Sequence, residues 1–205
     1  MLKTGIFVAR HGEVAANREK RFRGWKDLPL DENGRKQADE LAGHLKKIPL
    51  TEAHSSDLSR AGDTAKTVAK PHGLSVQQHK EFRPWNVGDL AGQKKADHKK
   101  TIDDAVANPE KPLPGGESLN QFRARFRPKF KDLQAKAKAG KGPLFMTAHA
   151  SNLHEIGTMI HGKADSLDIA PGGYAFIYPT GKSAWNHQVI KGQQHKSGGD
   201  YEKTS

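Results

Sequence analysis

Hydrophobic positions in this chain follow two alternating periods. Ile6, Phe7, Val8 and Ala9 form an apolar run that stops abruptly at Arg10, His11 and Gly12, the pattern of a buried strand that delivers polar groups to its C-terminal end. A polar, arginine-rich loop at 17–29 follows. Behind it Ala38, Leu41, Ala42, Leu45 and Ile48 recur at helical spacing, with Asp31 as N-cap, Leu30 as staple and Pro49 as stop. A short strand at 50–55 precedes a helix whose apolar face carries Leu58, Ala61, Ala65 and Val68, with Arg60 off that face near its start. Pro71 and Gly73 end this helix, and residues 74–79 read as a third strand.

The segment 82–92 holds a proline, a tryptophan and two glycines and reads as a shaped loop. A helix over 94–107 and a proline- and glycine-broken stretch at 109–116 come next. Leu119, Phe122, Phe126, Phe130 and Leu133 then form a helical stripe that Pro128 is expected to kink or split. Residues 136–141 read as an exposed connection. The second strongly apolar strand, 144–148, ends at His149, and a helix starts around Ser151 or Asn152 with Leu153, Ile156 and Ile160 inward. Residues 174–178 and 184–190 read as a hairpin joined at Pro179-Thr180-Gly181, and from Lys191 the chain is polar and glycine-rich.

Strands alternating with helices predict an α/β protein: a three-layer α/β/α sandwich with a mainly parallel central sheet. The 205 residues suggest one domain over 1–190, with 191–205 as a polar, flexible tail. With no cysteine, disulfides, thiolate catalysis and cysteine-ligated zinc are excluded. No apolar run approaches membrane-spanning length and no signal-peptide core precedes the first strand, so a soluble cytoplasmic protein is expected. The net charge of +11 comes from lysines scattered along the chain without interleaved aromatics. This favours a solvated basic surface and makes a nucleic-acid polymer an unlikely partner. Oligomeric state stays open.

In a parallel sheet His11 and His149 emerge at the same edge, where Arg10 and Arg60 can join them. In open α/β sheets that edge is where ligands bind. Two arginines cannot shed their charge, so a buried cluster of this kind calls for an oxyanion between them. His149 and His154 are five apart and do not share a helical face, and no carboxylate sits at ligand spacing, so no metal is expected.

Five motifs stand in order: Arg10-His11-Gly12-Glu13 with Asn17; Gly24 and Asp27-Leu28-Pro29-Leu30 ahead of the Gly34 to Ala38 helix; Ser55-Ser56-Asp57-Leu58-Ser59-Arg60-Ala61; Gly115-Gly116-Glu117-Ser118; and Ala148-His149. Together they resemble the histidine phosphatase superfamily, also called phosphoglycerate mutase-like, over residues 3–178. The resemblance implies a metal-independent phosphatase without cofactor that acts on a small phosphorylated substrate. His11 would attack phosphorus to give a phosphohistidine, and Arg10 and Arg60 would grip the non-bridging oxygens. His149 would donate a hydrogen bond to the same oxygens. Asn17 would add a polar phosphate contact, and Glu117 another substrate contact.

One departure matters. Many relatives carry a glutamate in a Leu-Arg-Glu-like segment that protonates the leaving group, and Pro84 occupies its place here. Ala150 likewise stands where one branch has an aspartate. Three readings follow: a nearby carboxylate substitutes, Asp89 first, then Glu81 or Glu117; the leaving group needs no proton; or the pocket binds without turnover. Phosphoglycerate mutase-type transfer is the other enzymatic reading. It needs a lid against water, and the short stretch after His149 shows no lid insertion, so hydrolysis is favoured.

Overall fold

A computed structural model of the protein describes residues 4–191. Six strands form one sheet in the order β3-β2-β4-β1-β5-β6. They are β1 (Ile6–Arg10), β2 (Glu52–Ser55), β3 (Val76–Gln78), β4 (Leu144–Ala148), β5 (Tyr174–Pro179) and β6 (Trp185–Lys191). The four strands β1 to β4 are parallel, and the β5–β6 hairpin adds antiparallel to the β1 edge. Helices cover both faces, as the alternation predicts.

The pleat of β1 sorts its residues between the two layers. Ile6 and Val8 pack with Leu144 and Met146 against the apolar stripes of α4 (Lys99–Ala107), α5 (Leu119–Ala139) and α6 (Ala150–His161). Phe7, Ala9 and Phe145 pack on the other face against α2 (Glu32–Leu45) and α3 (Ser59–Ala69). Strands buried on both faces must be apolar throughout, which is why β1 and β4 read as continuous runs.

Local signals set most helix ends. The Asp31 side chain accepts from the Gly34 amide at 2.8 Å, as expected of an N-cap. At α5 the cap is Ser118, whose hydroxyl accepts from Gln121 N while the Gln121 side chain accepts from Ser118 N.

Several expectations are corrected. The 17–29 loop begins with a short helix, α1 (Ala15–Arg18), and the helix expected from residue 94 starts as a 3₁₀ turn and becomes α-helical at Lys99. Pro128 does not split α5, which runs unbroken for 21 residues. Its missing amide and ring cost about 3 kcal/mol in a free helix. Here Phe122, Phe126 and Phe130 lie stacked at 5.6 Å intervals with almost no solvent exposure, and their burial outweighs the defect. The same stripe carries the helix to Ala139, so Lys136 and Lys138 belong to α5, not to a connection. Lys191 closes β6 and pairs with Glu40 at 2.6 Å, so it is no part of a tail; residues 192–205 lie outside the described residues. Among the described residues no helix is long and apolar enough to cross a membrane.

Candidate active site

The site forms where β1 and β4 end side by side. The β1–β4 ladder pairs Arg10 with Ala148, and the next amide, His11 N–H, donates to Ala148 O at 3.1 Å. This register leaves the His11 and His149 rings 5.1 Å apart, both completely or almost completely buried. His11 Nδ1 lies 2.7 Å from the Gly12 carbonyl. A carbonyl only accepts, so Nδ1 carries the proton and the lone pair sits on Nε2. That Nε2 is buried and has no hydrogen-bond partner among the described residues.

His149 is fixed from both ends. Its backbone amide donates to Asn152 Oδ1 at 3.0 Å as α6 begins, and its Nε2 lies 2.8 Å from the buried Ser56 hydroxyl. Ser56 in turn accepts from Leu58 N at 3.4 Å, at the turn into α3.

Arg60 was expected off the apolar face of α3, yet it is only 1 % exposed. Its side chain reaches the 24–26 turn, where Nη1 donates to Lys26 O at 2.8 Å and Nη2 to Gly24 O at 3.0 Å. Nε of Arg60 is buried without a hydrogen-bond partner among the described residues. Burial lowers its pKa to about 10, so it remains a cation at neutral pH. Arg10 donates to Ile169 O at 3.0 Å and its charge reaches both imidazoles.

Burial first, then the Arg60 guanidinium, holds the pKa of both His11 and His149 well below the ordinary imidazole value. Arg23 and Arg10 push in the same direction. The result is two neutral rings inside a cationic shell, a combination that suits a bound oxyanion and a nitrogen nucleophile.

His11, His149 and Arg60 line one cavity of about 60 Å³ together with Arg23 and Lys95. Phe22, Pro84, Trp85, Val87 and Ile102 complete much of the lining. Arg23 and Lys95 were not singled out as site residues. They converge because the loops at 20–22 and 92–95 pair: Arg21 bridges Lys94, Phe22 N–H donates to Gln93 O at 2.9 Å, and Lys95 N–H donates to Lys20 O at 3.0 Å. Nothing local in either segment announces that pairing.

The remaining expected residues lie elsewhere. Asn17 turns its side-chain oxygen to Val14 N at 3.1 Å and caps α1. The Asp89 carboxylate rests against Gly115. Glu117, which in isolation could cap α5, instead accepts from Asn86 N at 2.8 Å and forms a two-armed pair with Arg125 at 2.6 and 3.1 Å. Arg125 also donates to the carbonyls of Glu81, Arg83 and Pro84, so the Glu117–Arg125 pair fastens the loop that walls the cavity. None of Arg10, Asn17, Asp89 and Glu117 is among the residues lining the cavity, although the Arg10 charge acts on both imidazoles.

A mainly parallel α/β sheet with two buried histidines among arginines at the strand ends is the arrangement expected of a phosphoglycerate mutase-like protein. The comparison with protein families agrees: residues 6–165 match the histidine phosphatase superfamily (branch 1), and the chain belongs to that family. It is 30% identical over 160 residues to a 2,3-bisphosphoglycerate-dependent phosphoglycerate mutase 2 of Gloeobacter violaceus, covering 74% of this chain and 73% of that protein. It is also 30% identical over 177 residues to the fructose-2,6-bisphosphatase TIGAR of Xenopus tropicalis, covering 83% of this chain and 62% of that protein. Among solved structures, a mycobacterial glucosyl-3-phosphoglycerate phosphatase in complex with VO3 superposes with a TM-score of 0.74 at 26% identity, over 92% of this chain and 98% of that one.

Proposed function

We propose that this protein is a metal-independent phosphatase that hydrolyses a small phosphorylated substrate through a phosphohistidine on His11. The observation that carries this reading is the tautomer of His11: Nδ1 is committed to Gly12 O, which aims the unpartnered Nε2 lone pair into the cationic cavity. Nε2 forms the N–P bond as the bond from phosphorus to the leaving oxygen breaks, and water then takes the phosphoryl group from His11. Arg60 and Arg10 stabilise the charge on the transferring group, with Arg23 and Lys95 beside it. These four cations do electrostatic work that a metal ion does in other phosphatases. His149 faces the same oxygens, and Asn17 and Glu117 contribute by shaping loops around the site and not by touching substrate.

Trapping tests this directly. Mixing the enzyme with a reactive aryl phosphate and quenching in base should leave an acid-labile phosphoryl group on the peptide that contains His11, with and without EDTA. A phosphoryl group elsewhere, or none, overturns the assignment.

Ser56 is a positioning residue in this scheme, because it holds the ring of His149 and touches no substrate. The Ser56→Ala variant should lower kcat about tenfold, the equivalent of one hydrogen bond, while KM changes little. The ¹⁵N shifts of His149 should move in the same variant. A packing role alone would leave those shifts and the kcat-to-KM balance untouched.

A further inference from the structure

Trp25 lies outside the cavity lining, and burial does not account for its large side chain, because the residue is 36% exposed. Polar groups of distant segments nevertheless hold its ring. The indole Nε1–H donates to Pro84 O at 2.9 Å, and the Arg83 and Arg125 guanidiniums lie over the ring, 4.8 and 5.5 Å from its centroid. Pro84 O also accepts from Arg125 Nη2 at 2.7 Å, so one carbonyl anchors both the indole and an arginine stacked on it. Arg83 in turn grips the Asp57 carboxylate through Nε and Nη2 at 2.7 and 2.6 Å, just ahead of α3.

The place of Trp25 in the chain gives these contacts a consequence. Gly24 O and Lys26 O, the carbonyls of its two neighbours, accept the Nη donors of Arg60 at 3.0 and 2.8 Å. With both Nη atoms of the guanidinium on one turn, that turn sets the plane in which the remaining N–H groups lie. One of them is Nε, which is buried without a hydrogen-bond partner among the described residues. The turn meets α3 a second time where Asp27 Oδ1 accepts from Ser59 N at 2.8 Å. Segments 24–27, 57–60 and 83–84 therefore close on one another, and the indole of Trp25 links the first to the third. We infer that Trp25 is a positioning residue for phosphoryl transfer that acts through Arg60. By locking the 24–26 turn to the Pro84 carbonyl, it fixes the direction from which the Arg60 guanidinium meets the oxygens of the transferring group. The indole itself touches no substrate. The chemistry of this inference rests on the phosphohistidine reading, and its geometry rests on the hydrogen bonds alone.

The Trp25→Phe variant tests it, because phenylalanine keeps a ring for Arg83 and Arg125 and removes the N–H that Pro84 O accepts. With p-nitrophenyl phosphate as substrate, the variant should lower kcat about tenfold, the equivalent of one hydrogen bond, while KM changes little. The same substitution made in an Arg60→Lys background should change kcat by less than about twofold, because one ammonium cannot reproduce the fork that spans both carbonyls of the turn. In Trp25→Phe alone, the Nε–H resonance of Arg60 should shift. That resonance needs no second substitution, so the test stands even where Arg60→Lys folds poorly. An unchanged Arg60 resonance, or a parent-like kcat in Trp25→Phe, overturns the inference. So does a tenfold loss that recurs in full in the Arg60→Lys background, because Trp25 would then act by packing and not through the guanidinium. Failure to trap phosphate on His11 in the parent protein instead overturns the phosphohistidine reading, and the Arg60 resonance then reports separately whether the indole orients the guanidinium.

Discussion

Replacing His11 with alanine should abolish turnover, by roughly 10⁴-fold or more, while phosphate still binds. The variant loses the Nε2 lone pair on which the proposed phosphohistidine forms, but it keeps Arg10, Arg60, Arg23 and Lys95. Steady-state assay and phosphate binding by calorimetry separate the two effects. Residual turnover within tenfold of the parent would show that another group attacks phosphorus. The same variant should also change how stability depends on pH. The native state holds His11 neutral by burial and by the Arg60 charge, so its pKa there lies well below that in the unfolded chain. Such a group contributes fully above the unfolded value of about 6.5, and that contribution is lost as pH falls below it toward the depressed native value. The parent should therefore lose melting temperature between pH 7 and pH 5, and His11→Ala should lose less, with His149 responsible for part of the remaining slope.

Much of the fold was legible because its signals are local. An apolar run that ends at a histidine needs no distant partner to be read, so β1, β4 and the meeting of His11 with His149 followed from the sequence and the parallel-sheet geometry. Arg60 is the opposite case. Helical spacing puts it off the apolar stripe of α3, yet it is buried, because carbonyls 34 and 36 residues upstream accept its two Nη groups. Polar burial of that kind is decided by tertiary hydrogen bonds, which no periodicity encodes. Arg23 and Lys95 were unreadable for a related reason, since backbone hydrogen bonds between two irregular loops distant in sequence bring them together. Pro128 shows the other direction: a local rule called for a kink or a split, and a row of buried phenylalanines holds α5 as one unsplit helix. For Asp89 the sequence offered nearness to the expected acid's position, and for Glu117 only its place in the Gly115-Gly116-Glu117-Ser118 motif, whereas the structure gives each carboxylate its own neighbour outside the cavity.

The second large effect lies one residue beyond His11, where the turn after β1 meets the first turn of α2. A Cβ built on Gly12 would stand 2.3 Å from Gly34 O, and one built on Gly34 would stand 2.1 Å from Glu13 O and 2.7 Å from Glu13 N. These are backbone atoms, so no flexible side chain can give way. The contact is tied on all sides: Asp31 N–H donates to Glu13 O at 3.0 Å, Glu13 N–H to Gln37 Oε1 at 2.8 Å, and Gly34 N–H to Asp31 Oδ1 at 2.8 Å. Gly34→Ala must therefore push the segment after His11 away from α2, at a cost of about 3 kcal/mol by comparison with overpacked cores. Gly43, on the same helix, provides the control, because a Cβ there meets nothing within 4 Å. Gly43→Ala should raise stability by up to about 1 kcal/mol through helix propensity alone. Denaturant titration of the two variants should give shifts of opposite sign. In the folded fraction of Gly34→Ala, kcat should fall as well, because the new methyl group meets Glu13 N, whose peptide unit carries the Gly12 carbonyl that orients the His11 ring. Equal stabilities for Gly34→Ala and the parent would mean that the turn after the nucleophile is free to move, and that His11 is positioned by something other than this backbone contact.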